Sequence, residues 1–122
     1  MREVRQYRRV EGPIIVEYHL ADSSGATGCS PATNVSEGGI RFPMDREVPV
    51  ATPVELHLHV GRVGASPAVV QGHVVWVRPR AEGGATPYDV GVTFSAPSSR
   101  LMQRLLQRVY VYWQQLLRQG SS

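Results

Sequence analysis

Val54-Glu55-Leu56-His57-Leu58-His59-Val60 alternates apolar and polar residues without a break. A period of two puts Val54, Leu56, Leu58 and Val60 on one face and Glu55, His57 and His59 on the other, the pattern of a strand buried on one side. Upstream, Ile14-Ile15-Val16-Glu17-Tyr18-His19-Leu20 is rich in β-branched and aromatic residues and predicts a first strand. Cys29 to Val35 predicts a second, weakened at Pro31, and Ile40-Arg41-Phe42 opens a third. Downstream, Ala68 to Arg78 predicts a long fifth strand bent at Gly72, and Tyr88-Asp89-Val90-Gly91-Val92-Thr93-Phe94 a sixth. Segments rich in turn residues separate them. Six strands at hairpin-like spacing predict an all-β domain, a six-stranded antiparallel β-barrel over residues 12–95. Closure of a barrel also removes exposed sheet edges.

After Phe94 the period changes. Pro97-Ser98-Ser99 opens a C-terminal α-helix over 97–118, with proline tolerated in the first turn and a serine hydroxyl available as cap. Leu101, Leu105, Val109, Trp113 and Leu116 form an apolar stripe, flanked by Met102, Leu106, Tyr112 and Leu117. Arg100, Arg104 and Arg108 lie on another face and read as solvated. From Arg100 to Arg118 the helix spans roughly 28 Å, more than a small barrel needs as a lid. Its distal half, about Val109 to Leu117, is therefore expected to contact a second protein, either another copy of this chain in a homodimer or an output partner.

The 122 residues make one domain, and 42% apolar with 19% charged residues exclude a disordered chain. The single cysteine, Cys29, excludes an internal disulfide and has no catalytic context. Net charge is +3 with no lysine. Arg2, Arg5, Arg8 and Arg9 crowd the first nine residues against Glu3 alone, a basic head suited to an anionic ligand. No apolar run approaches the ~20 residues that cross a bilayer. The charged N-terminus lacks the apolar stretch of a signal peptide, so a cytoplasmic domain without membrane insertion is expected. The four histidines lie in strands without a nucleophile partner, so a binding module is expected rather than an enzyme. His57 and His59 read as solvated residues of an outer face, and neither a metal centre nor a cofactor is expected.

Two short segments carry the recognition chemistry. Arg5 and Arg9 are four apart in a polar arm, residues 1–11, and share a side whether it is helical or extended. Each offers a planar fork of donors that fits phosphate or the edge of guanine. In Asn34-Val35-Ser36-Glu37-Gly38-Gly39, Asn34 and Ser36 share a face, and Gly38 and Gly39 leave room for a ligand near the backbone.

Arg-x-x-x-Arg, then a hairpin, then Asn-x-Ser-x-x-Gly resembles the signature of the PilZ domain family, small β-barrels that bind cyclic di-GMP. The strands and terminal helix extend the resemblance over most of the chain. It implies a cyclic di-GMP receptor that relays second-messenger level to a downstream protein partner. It also implies that Arg5 and Arg9 fork onto guanine or phosphate, that Arg8 adds a phosphate contact, that Asn34 and Ser36 hydrogen-bond the second guanine or its phosphate, and that Gly38 and Gly39 keep the turn clear. The alternatives are a PilZ-fold adaptor that no longer binds nucleotide and a small basic barrel that binds nucleic acid. The latter would present aromatics among its basic residues. Trp76 and Tyr88 in apolar strands and Trp113 on the helix stripe read as core, which speaks against it.

Overall fold

A computed structural model describes residues 14–36, 38–61, 67–82, 84–96 and 99–120. The expected arm with Arg5, Arg8 and Arg9, and the helix start at Pro97-Ser98, lie outside the described residues. So do the side chains of Leu101, Met102 and Leu106.

Alternation sets the sheet. In β1 (Ile14–Leu20) every second residue is buried: Ile14, Val16, Tyr18 and Leu20 face inward, while Ile15, Glu17 and His19 are half-exposed. β2 (Thr27–Pro31), β3 (Asn34–Val35), β4 (Gly39–Met44), β5 (Pro53–Val60), β6 (Ala68–Pro79) and β7 (Tyr88–Phe94) follow. All ladders are antiparallel, in the order β2-β1-β5-β6-β7-β4-β3. Tyr18 of β1 and Phe42 of β4 are far apart in that order, yet their rings stack with centroids 5.6 Å apart. The sheet therefore curls over its own apolar face into a half-barrel around Val16, Tyr18, Phe42, Met44, Leu56, Leu58, Val74, Val90 and Phe94.

The antiparallel all-β architecture and the terminal helix expected from the sequence are present, with the sheet curled into a half-barrel rather than laddered shut. The expected second strand is divided, which makes seven. Its first part, β2, pairs with β1, and its second, β3, pairs with β4. Ala32 and Thr33 cross between the two rims: the Ala32 amide donates to Ile14 O at 2.9 Å and the Thr33 amide to Arg41 O at 2.8 Å. Pro31, which has no N–H to continue a ladder, ends β2 at this crossing.

The expected bend at Gly72 is displaced. Gly72 pairs regularly with Val54 and Phe94, and its missing side chain admits Thr93 O, which a Cβ would meet at 2.5 Å. The irregularity lies between Val74 and Trp76, where the register against β7 shifts by one. Helix α1 (Ser99–Gly120) inserts Leu105 into the core, 1% exposed, and rests Val109 and Tyr112 against the barrel. Tyr112 lies over Gly61, whose φ of 87° and lack of a side chain both admit the ring. Leu116, on the apolar stripe, is 39% exposed.

Candidate functional site

β3, β4, β6 and β7 frame an open depression of about 340 Å³. One rim is the segment from Asn34 to Ile40, and Asn34, Ser36, Gly38 and Gly39 all line it. Asn34 stands opposite Arg41 in the ladder, and both side chains are exposed. Ser36 closes the turn toward β4: its amide donates to Gly39 O at 2.9 Å and its hydroxyl to the same oxygen at 3.3 Å. That hydroxyl oxygen keeps its lone pairs for an incoming donor. The Phe94 amide donates to Gly38 O at 2.9 Å and anchors the turn to β7.

The two glycines have different jobs. A Cβ on Gly39 would collide with the carbonyl oxygen of Val92 on the neighbouring strand, so this glycine serves strand packing. A Cβ on Gly38 would meet nothing within 4 Å, so Gly38 is the position that leaves the backbone open.

The opposite wall is Trp76, which sequence reading assigned to the core. Inward residues of β6 run Val70, Gly72, Val74, and counting on by two puts Trp76 inside. The bulge at Val75 absorbs one residue, so Trp76 falls opposite Gly91 rather than Val90. Val90 and Val92 point inward, hence Gly91 and Trp76 belong to the outer face. The indole covers Gly91, where any Cβ would collide with it. Gly91 between two inward valines is the signal that would have exposed this placement. The Arg78 guanidinium lies over the indole, 4.6 Å from its centroid. Arg41, also missed, lines the depression and is held by Asp89, with Nε 3.0 Å from Oδ2.

The depression thus brings together an amide, a hydroxyl, an open backbone turn, a cation and a flat indole. That set suits an anionic, aromatic ligand with hydrogen-bonding edges. Of the seven residues expected in the site, Asn34, Ser36, Gly38 and Gly39 share this depression, and Arg5, Arg8 and Arg9 lie outside the described residues. On the other wall, His57 and His59 are less solvated than expected. His59 is 5% exposed and His57 half-buried, because Glu17 and His19 of β1 crowd against them.

The PilZ domain profile matches residues 3–111. The chain belongs to the PilZ domain family. Several solved structures share its fold. The PilZ domain of YcgR from Escherichia coli, determined with c-di-GMP, superposes with a TM-score of 0.57 at 16% identity, covering 92% of this chain and 89% of that one. The inhibitor of motility MotI/DgrA of Bacillus subtilis gives 0.58 at 14% identity, covering 88% of this chain and 49% of its own. This chain therefore spans about half the length of that relative. PlzA of Borreliella burgdorferi, in complex with c-di-GMP, gives 0.54 at 9% identity and is covered over 48% of its length. No curated protein sequence matches.

Proposed function

We propose that this chain is a cyclic di-GMP receptor that binds the nucleotide in the depression between the Asn34–Gly39 turn and Trp76. The observation that carries this reading is the convergence of Asn34, Ser36 and the open Gly38 on one depression with an indole wall, on the fold of proteins solved with that nucleotide. Asn34 and Ser36 hydrogen-bond a guanine edge or its phosphate. Trp76 with the Arg78 guanidinium over it supplies a flat stack on which a base can settle once Arg78 shifts or stacks with it, an interaction worth ~1–3 kcal/mol. Arg5 and Arg9 come from the arm and fork onto the other guanine or onto phosphate, and Arg8 adds a phosphate contact. Nothing in this set transfers a group, so the role is recognition rather than catalysis.

A receptor acts through what it touches next, and α1 supplies a surface for that relay to a second protein. It presents Tyr110, Val111 and Leu117 to solvent, at 63%, 47% and 71% exposure.

Calorimetry with cyclic di-GMP tests the reading. The unaltered chain is expected to bind saturably, and Arg5→Ala, Arg9→Ala and Asn34→Ala each to weaken binding by ~1–3 kcal/mol or more while the chain stays folded. Lysine at Arg5 or Arg9 should also bind poorly, since a point charge cannot replace the fork. No binding by the unaltered chain, or unchanged affinity in all three alanine variants, would overturn the assignment. Binding that collapses with added salt and is matched by random oligonucleotides would indicate the nucleic-acid barrel instead.

A further inference from the structure

The outer wall of β1 and β5 carries a second cluster, away from the depression on β3, β4, β6 and β7. Glu17 stands directly opposite His57 in the β1–β5 ladder, and His19 follows two residues later on the same face. Cross-strand and diagonal neighbours on one face lie within side-chain reach. Here the His19 and His57 rings are 4.7 Å apart, centroid to centroid. One ligand atom from each of Glu17, His19 and His57 falls within 4.8 Å of the others.

The surroundings prepare these groups for a cation. Glu17 Oε1 accepts from His59 Nε2 at 3.1 Å, which fixes the carboxylate, and its other oxygen lies 3.5 Å from His19 Nε2. Glu55 Oε2 sits 2.6 Å from His57 Nε2, and Gln71 Nε2 donates to Glu55 Oε1 at 3.1 Å. An imidazole with one nitrogen held by a carboxylate is the usual arrangement of a metal-bound histidine. A second observation points to a ligand. His19 is partly exposed, but its Nε2 is itself shielded and makes no hydrogen bond among the described residues; its one charged neighbour is Glu17 Oε2 at 3.5 Å. Such an atom costs stability unless something pairs with it.

We propose that Glu17, His19 and His57 form a binding site for a divalent transition-metal ion, with Zn²⁺ the ion that two imidazoles and one carboxylate suit best. Imidazole favours zinc, copper, nickel and iron over magnesium and calcium, and three protein ligands leave the fourth tetrahedral position to water. Ligand atoms around a tetrahedral zinc sit about 3.4 Å apart, given metal–ligand distances of ~2.1 Å. The three groups, now within 4.8 Å of one another, must close by about 1.4 Å to reach that spacing. The bound ion pairs the His19 nitrogen, neutralises Glu17 and ties β1 to β5. Cys29 lies beside Glu17 on β2, but the three ligands do not need it.

Titrating Zn²⁺ into the tag-free chain tests this, with the visible spectrum of Co²⁺ as a report of coordination. The expected result is one saturable site per chain, a four-coordinate Co²⁺ spectrum, and a melting temperature that rises with Zn²⁺ because the ion binds the folded state. Replacing a supporting residue around a metal commonly costs 10–100-fold in affinity. His19→Ala, His57→Ala and the shape-conserving Glu17→Gln should therefore each weaken binding at least about tenfold. His73→Ala, exposed on β6 outside the cluster, should leave it unchanged. No saturable site in the unaltered chain, or an equal loss in His73→Ala, overturns the proposal. Cyclic di-GMP affinity is measured in parallel on the same variants; unchanged values there keep this site separate from the nucleotide reading, so either can fail alone.

Discussion

Gly39→Ala and Gly38→Ala differ by one position and are expected to fail in different ways. At Gly39 the added Cβ would overlap the Val92 carbonyl oxygen and lie 3.4 and 3.5 Å from Val92 C and Thr93 Cα, all of them backbone atoms. No side chain can swing aside, so β4 must move off β7. Overpacking of this sort costs about 1–3 kcal/mol. The shift also strains the 2.9 Å bond from the Ser36 amide to Gly39 O, worth about 1 kcal/mol. The sum is about 2–4 kcal/mol, or roughly 10 °C in melting temperature for a domain of this size. Gly38 has nothing within 4 Å of the same substitution, so its variant should melt within about 2 °C of the parent. Its methyl group instead enters the depression and should weaken cyclic di-GMP several-fold. Thermal unfolding and calorimetry on both proteins decide the matter. If Gly39→Ala melts with the parent, or if the two variants lose stability equally, the division of labour between these glycines is wrong.

Trp76→Ala should weaken cyclic di-GMP by ~1–3 kcal/mol, the worth of one stacked base, and calorimetry showing parental affinity would remove the indole from the site. Burial, then the 3.0 Å hydrogen bond to Asp45, push the Tyr18 phenol up to about 12. The folded value thus lies above the ordinary ~10, so Tyr18 contributes stability that is intact below about pH 10 and lost as pH rises through 12. The urea midpoint of the parent should fall across that window more steeply than that of Tyr18→Phe, and parallel slopes would contradict this. On the acid side, Glu55 is held low by His57 and then Gln71, and Asp45 by Arg46. Their contributions are present above the usual carboxylate range and fade as pH falls through it; a midpoint unchanged between pH 6 and 3 would refute the pairing. Tyr110 and Leu117 are seven apart and both exposed on α1, so Tyr110→Glu with Leu117→Glu should dissociate an assembly formed through the helix without lowering the melting temperature. Sedimentation of the parent alone separates self-association from an output partner.

Strand identity was legible because alternation is strict in β1, where Ile14, Val16, Tyr18 and Leu20 face inward, and holds over most of β5. The Asn34–Gly39 turn was legible because its residue types are chemically specific. Two features escaped. The bulge at Val75 leaves no compositional mark on β6, so parity counted along one strand carried Trp76 to the wrong face; only the pairing with Gly91 reveals the slip. The Glu17–His19–His57 cluster escaped because His57 lies some 40 residues from the other two, and their proximity depends on the β1–β5 register rather than on local spacing. The division of β2 from β3 is likewise a matter of partners, since both halves read as extended chain.

The crossing at Ala32 and Thr33 has a kinetic corollary. Two consecutive amides hold opposite rims of the curled sheet, one reaching Ile14 and the next Arg41, and Asn34 comes directly after them. Any fluctuation that uncurls the sheet must break both, and it must also carry Asn34 and Ser36 away from Trp76. Proton exchange with solvent at these two amides therefore reports the opening equilibrium of this clasp. A ligand bridging Asn34 to the indole wall would slow that exchange in proportion to its occupancy, making Ala32 and Thr33 built-in reporters of the bound state that never touch the ligand.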